Sequence, residues 1–407
     1  MHVIFVEPAF PRNQREFPRA LAEVGAQVSG IGEAPASSLP EQIRQHLWQY
    51  EQVPSVVDEG SVYQAVRRIQ SRSWVDRLEA TVEAHIMPIA KVREACEIPG
   101  TSTRTAWLCR DKPSMKEALR QAGIPCAQSL GSQDRAEIHD FAQRVGYPLI
   151  VKPPAGAGAS GATRVDSEEA LDRALDQAGL RHGRTVAIEE YIEGHEGFYD
   201  TVTLDGKVVH EFITHYYPNV LEAMRTRWIS PQFITTNRVD TAVAYEEVKR
   251  MGRRVIEVLG IDTSATHMEW FFGPKGLKFS EIGCRPPGVG AWDLYCAANE
   301  FDLYREWAHL IVHRASSRSP SRRFSAGIIN LRPDRDGTIA GYEGQALIES
   351  TLREFVIDTH LPPPGTPTQG VEAGYMANAW IRMRHPDYDT LRSILDEVGR
   401  TVKVRAH

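Results

Sequence analysis

HMEWFFGPKGLKFSEIGCRPPG, residues 267–288, is two short β-rich runs flanking Gly-Pro-Lys-Gly. It reads as a hairpin with its turn at residues 273–276. Pairing the strands about that turn sets Phe271 opposite Phe279 and Glu269 opposite Glu281. Alternation along a strand then puts His267, Glu269, Glu281 and Arg285 on one face. Like charges directly opposite each other are destabilising, so two facing glutamates call for a reason. Mg²⁺ supplies one, because it takes one or two carboxylates and completes its shell with water and phosphate oxygens. The competing reading is one solvated acid and one paired with Arg285.

A second stretch points to phosphate as well. VKPPAGAGASGATRV, residues 151–165, contains GAGASG, Gly156 to Gly161. A dinucleotide fingerprint would follow the first strand and open directly into a helix. Here the pattern lies mid-chain and is followed by the β-branched run ATRV, so the dinucleotide reading fails. No Gly-Lys-Ser/Thr follows, which excludes a Walker A loop. Small residues still let backbone N–H groups approach an anion. Ser160 adds a hydroxyl, and Lys152 adds a positive charge at the base of the loop.

Outward from these two stretches the chain reads as mixed α/β. HVIFVEP is a buried strand, REFPRALAEVGA a helix, and QVSGIG a second strand, which together suggest a parallel unit. Residues 61–96 read as helical by period. RDKPSMKEALRQAGIPCAQS (110–129) gives a short helix over 116–121 and a strand around 126–130. Asp166 and Glu169 form an expected capping box. FYDTVTLDGKVVHEFIT is a hairpin turning at Asp205-Gly206. YYPNVLEAMRTRWISPQF is a long irregular stretch, of a length more often found in functional loops. Its Arg225 and Arg227 are candidates for binding a carboxylate. Four units are expected: residues 1–105, 106–190, 191–325 and 326–407.

Composition narrows the class. The chain has 407 residues and a formal net charge of −6. No basic face suited to nucleic acid is apparent, and the one basic run, HRASSRSPSRRF, reads as a linker. Five scattered cysteines without metal or redox spacing suggest reduced thiols in a cytoplasmic protein. No signal peptide or membrane span is expected.

Taken in order, four segments resemble the ATP-grasp superfamily: RDKPSMKEALRQAGIPCAQS, PLIVKPPAGAGASGATRV, AIEEYIEGHEGFYDTV and HMEWFFGPKGLKFSEIGCRPPG. The resemblance covers roughly residues 1–330. It implies an N-terminal Rossmann-like domain, a small lid lobe with a glycine loop, a central antiparallel-sheet domain and a C-terminal α/β subdomain. It further implies that Lys112 and Lys152 touch ATP phosphates, with Gly158, Ser160 and Gly161 in the phosphate lid. Glu189, Glu190, Tyr191 and Ile192 would line the adenine, and Glu196 would hold the ribose. Glu269 and Glu281 would be ligands for Mg²⁺, with Mn²⁺ as a substitute, and Arg285 would stand at the reacting groups. His267 would line the acid pocket.

The N-terminal segment VDRLEATVEAHIMPIAKVREACEIPG and the C-terminal part look most like the amino-acid (dipeptide) ligase branch. The activity implied is an ATP-dependent carboxylate–amine ligase working through an acylphosphate on small-molecule acid and amine substrates. A homodimer is expected from the habits of relatives. The rival readings are a thiol or hydroxyl acceptor, a biotin-carboxylase-like enzyme and a catalytically silent ATP-binding module. One departure stands out: Gly283 occupies a position where the family often has a metal-binding Asn.

Overall fold

The computed structural model describes residues 1–152, 162–371 and 378–407. The glycine loop, including Gly158, Ser160 and Gly161, lies outside the described residues. The N-terminal unit is a four-stranded parallel sheet of β1 (His2–Val6), β2 (Gln27–Gly32), β3 (Gln49–Gln52) and β4 (Arg77–Glu79), in the order β3-β2-β1-β4. β1 is buried along its whole length, as its apolar run requires. β4 interrupts the helix expected over 61–96, which is instead two helices, Glu59–Gln70 and Glu83–Ala95. The strand was disguised by charge. Arg77 and Glu79 are buried but neutralise each other at 2.8 Å.

A second four-stranded sheet is antiparallel throughout. It comprises β5 (Ser129–Ser132), β6 (Leu149–Lys152), β7 (Thr163–Val165) and β8 (Val186–Glu190), ordered β5-β8-β6-β7. Helices Arg135–Val145 and Glu168–Gln177 contribute Ile138, Phe141, Leu171 and Leu175 to the core it shares. The cap of the second helix is Ser167, whose hydroxyl accepts from the Ala170 N–H. Asp166, the expected cap, bonds Arg164 instead. β5 begins later than expected, and Cys126 forms an isolated bridge with Phe279. The helix expected over 116–121 begins earlier, at Lys112, because Asp111 caps it.

The largest sheet has eight strands, all antiparallel to their neighbours. β9 (His195–Leu204), β10 (Lys207–Tyr217), β11 (Gln232–Thr235), β12 (Ser264–Gly273), β13 (Gly276–Gly283) and β14 (Ser325–Leu331) are joined by β16 (Val356–His360) and β17 (Ala379–His385). Their order is β13-β12-β9-β10-β11-β14-β17-β16. The C-terminal strands therefore extend the central sheet. β15 (Ile339–Glu343) and β18 (Lys403–Ala406) form a separate pair. The expected irregular stretch after β10 contains a one-turn helix, Val220–Ala223, and then β11.

The β12–β13 hairpin corrects the simple register. Next to the turn Phe271 faces Lys278 and Trp270 faces Phe279, one residue off the expected pairing. A bulge at Ser280 restores the count, so Glu269 does face Glu281. An extra residue on one strand re-aims every side chain beyond it.

The turn of this hairpin is docked on the segment after β8. A Cβ on Gly273 would meet the Glu193 carbonyl oxygen at 2.0 Å, and one on Gly194 would meet the Phe272 oxygen at 2.4 Å. Two backbones meet here with no room for a methyl group. Gly273→Ala is expected to destabilise the protein by about 1–3 kcal/mol, read from urea unfolding midpoints. A loss below a few tenths of a kcal/mol would mean the two segments part easily.

Candidate active site

A cavity of about 350 Å³ lies between the small sheet and the central sheet. Lys116, Ile150, Lys152 and Glu189 to Ile192 line it from the small-lobe side. Glu196, Phe271, Glu269 and Glu281 line it from the central sheet, with Asn219 to Glu222 and Arg225 closing another wall. Most of the candidates from sequence thus converge on one cavity.

Its charges are tightly arranged. Lys112, at the start of its helix, pairs with Glu281. Glu189 is clamped by two lysines, Lys116 and Lys152, each at 2.8 Å. Burial opposes ionisation of Glu189, but the two ammonium groups outweigh it and hold its pKa far below the ordinary carboxylate value. Burial also opposes the charge on Glu281, and Lys112 again wins, so this pKa is lowered too. Glu190 turns away, to Lys275 at 2.7 Å. The Tyr191 ring carries the Arg164 guanidinium over it at 4.4 Å. Among the described residues, the Ile192 N–H has no hydrogen-bond partner.

Glu196 is different. Its carboxylate accepts from the Val220 N–H at 2.7 Å. Burial and then the neighbouring Glu269 charge push its pKa up to about 8. His267 donates from Nδ1 to Asp200 Oδ1 at 2.7 Å, and its Nε2 lies 3.7 Å from Glu269. Burial alone would depress this imidazolium, but Asp200 and Glu269 outweigh it and hold its pKa up at about 9.

Both shifts have the same consequence for stability. The folded chain keeps a proton on His267 up to about pH 9, whereas an unfolded histidine loses it near 6.5. Its contribution is complete below 6.5 and is lost as pH rises through 9. Glu196 also binds its proton more tightly when folded, so its share is lost as pH rises from 4.5 through 8. The ligand-free protein is therefore expected to lose up to about 3 kcal/mol between pH 6.5 and 9 through His267. Urea midpoints across that range test this, and His267→Gln should flatten the slope. An unchanged slope in the variant would contradict the His267 contribution.

The donor set fits a divalent cation shared with phosphate. Among the described residues no group of three or more His, Cys, Asp or Glu side chains is arranged to hold a metal ion alone. Glu269 and Glu281 face each other across the hairpin and form a surplus of negative charge that Lys112, paired with Glu281, only partly offsets. Two carboxylates with the remaining ligands drawn from phosphate and water is a usual Mg²⁺ arrangement.

Arg285 does not line this cavity. It lines a second cavity of about 1050 Å³ with Arg12, Glu83, Asp293, Asp358 and Arg382. Its Nε donates to Glu83 Oε2 at 2.8 Å. This pair accounts for the space at Gly283. A Cβ there would come within 3.3 Å of Glu83 Oε2 and 3.5 Å of Arg285 Cγ, so an Asn side chain would contest the place they occupy. Arg225 faces the first cavity, bonding the Ala162 carbonyl, while Arg227 pairs with Asp336 at 2.7 Å. The two arginines therefore do not form a joint carboxylate site.

Lys116, Asp200 and Glu83 escaped the sequence reading. Lys116 is 1% exposed and lies one helical turn after Lys112. Its spacing from Lys112 was the available signal.

Residues 117–301 match the ATP-grasp domain family. An uncharacterised protein of Sinorhizobium fredii is 24% identical over 71% of this chain and 59% of its own length. An L-arginine-specific L-amino acid ligase of Bacillus subtilis is 26% identical over 65% of this chain and 64% of its own length. The chain thus spans less than two thirds of either relative. The crystal structure of an L-amino acid ligase from Bacillus licheniformis superposes with a TM-score of 0.76 at 18% identity, covering 100% of this chain and 98% of that one. That likeness is one of fold. Among the described residues, no helix is long and apolar enough to cross a membrane.

Proposed function

We propose, on the premise that this chain carries an ATP-grasp domain over residues 117–301, that it joins a carboxylic acid to an amine at the expense of ATP. The observation that carries the reading is that Lys152 and the facing pair Glu269 and Glu281 line one cavity, with Lys112 paired to Glu281 beside it. Without a nucleotide these lysines hold carboxylates. With one, the phosphates would compete for the same ammonium groups.

In this reading the adenine lies against Ile150, Tyr191 and Ile192, with the Ile192 N–H on its edge. Glu196 bonds the ribose, and the glycine loop with Gly158, Ser160 and Gly161 covers the phosphates. Glu189 keeps Lys116 and Lys152 in place, and Glu190 is the flanking residue of the same strand. Glu269 and Glu281 would hold Mg²⁺, which neutralises phosphate charge when bound. Lys112 and Lys152 stabilise charge on the transferred phosphoryl group.

The chemistry follows from the leaving group. A carboxylate oxygen attacks the γ-phosphorus and ADP departs. The resulting acylphosphate then has a good leaving group. An amine attacks its carbonyl carbon, loses a proton, and phosphate leaves, giving an amide. Arg285, with a planar fork suited to carboxylate or phosphate oxygens, would hold the reacting acid from the second cavity. His267 would steady Glu269. An amino acid is the favoured acid, in keeping with the named relative and the fold likeness.

The test is release of ADP and phosphate from Mg-ATP across a panel of single and paired amino acids. Release that requires two particular substrates, with formation of their amide, supports the reading. ATP hydrolysis without amide formation on every pair would count against it.

A further inference from the structure

Asp200 is buried to 1% exposure beneath the metal hairpin, where a carboxylate is costly unless it is fully bonded. It is bonded on both oxygens. Oδ1 accepts from His267 Nδ1 at 2.7 Å, and Oδ2 accepts from the Tyr295 hydroxyl at 2.5 Å. The ladder brings this about, since Asp200 of β9 stands directly opposite His267 of β12. Tyr295 arrives from the helix Ala291–Asn299, and its ring is stacked on Phe212 with centroids 4.3 Å apart. The Phe198 ring meets the His267 ring edge-on at 4.9 Å. His267 is thereby held by one hydrogen bond and one ring contact. Its remaining nitrogen, Nε2, lies 3.7 Å from Glu269 Oε1.

We infer that Tyr295, Asp200 and His267 form a positioning chain that orients Glu269. The inference rests on the ligase reading of the site but assigns Asp200 and Tyr295, which that reading leaves without a role. The logic is that of a carboxylate that fixes the tautomer and rotation of an imidazole beside a metal site. With Nδ1 committed to Asp200, the rotation of the ring is fixed and its Nε2 edge is held toward Glu269. Glu269 Oε1 lies 3.7 Å from that fixed edge, and Glu269 lines the first cavity. Neither Asp200 nor Tyr295 lines the first cavity, so their action is through His267.

The test uses the full chain with Asp200→Asn, His267→Gln and the double variant, and it has two readouts. The first is activity: each single change should lower kcat about 10- to 100-fold. The double variant should be no worse than the poorer single variant, because residues that act as a unit are non-additive. Tyr295→Phe should give a smaller loss in the same direction, and it serves as the milder variant if Asp200→Asn folds poorly. The second readout is proton NMR of the ligand-free protein. A charge-assisted Nδ1–H bond to a carboxylate gives a far-downfield resonance, which both single variants should lose. Additive losses in the double variant would overturn the inference, and so would a downfield resonance absent from the wild type. Wild-type protein that shows the resonance but forms no amide would instead sink the ligase reading, leaving the hydrogen bond without that role.

Discussion

Glu281→Ala is expected to lower the rate of ADP release roughly 10³-fold, with the fold retained. Two effects combine. The variant loses one of the two facing carboxylates of the hairpin, and it frees Lys112, whose ammonium group pairs with Glu281. Burial would push the Lys112 pKa down, and Glu281 is the main group that holds it up instead. Without Glu281 the lysine sits in a partly desolvated place with Glu189 and Glu269 as more distant counter-charges. The measurement is initial rate against Mg²⁺ concentration at saturating ATP, with circular dichroism and melting temperature as controls. A variant that folds and keeps more than about a tenth of wild-type activity would remove Glu281 from the electrostatic machinery.

The second large effect is on stability. Lys116 is buried to 1% exposure and its only ion-pair partner among the described residues is Glu189, at 2.8 Å. Lys116→Met keeps the length of the side chain and removes the charge. Glu189 then keeps Lys152 alone, also at 2.8 Å. Breaking a buried pair from one side costs about 3–5 kcal/mol because the surviving charge is left uncompensated. The surviving lysine argues for the lower end, about 3 kcal/mol, read from urea unfolding. The informative control is Lys116→Met with Glu189→Gln. Removing both charges should restore part of the loss. A double variant less stable than Lys116→Met would show that losing the Glu189–Lys152 pair outweighs the relief of the buried charge.

The two results probe different layers of one cavity. Glu281 faces the place where phosphate and metal would meet. Lys116 lies behind, fixing the carboxylate that in turn fixes Lys152. Gly273 acts further out, where the hairpin turn and the Glu193–Gly194 backbone touch. Together they describe a site whose reactive face depends on how closely two sheets approach.

Much of this was legible in the chain because it is local. A hairpin with a short turn places residues near in sequence across from one another, so Glu269 and Glu281 could be paired from their spacing. Lys152 at the end of an apolar run, and Glu189 and Glu190 at the end of another, lie on strands whose burial follows from composition. The order of the four segments was enough to suggest the fold class. Charge masked β4, since Arg77 and Glu79 neutralise each other inside. The bulge at Ser280 was also invisible, because an extra residue changes register without altering the hydrophobic pattern.

What the chain determined by itself is therefore most of the strands and the hairpin that carries both glutamates. Tertiary structure alone decided which lysine meets which carboxylate. It set Lys116 and Lys152 on Glu189, Lys112 on Glu281, and Arg285 on Glu83 across a gap of some two hundred residues. It also set Asp200 between His267 and Tyr295. The physical reason is that a buried charge must find its partner within a few ångströms, and that distance is fixed by packing between sheets, on which sequence spacing is silent.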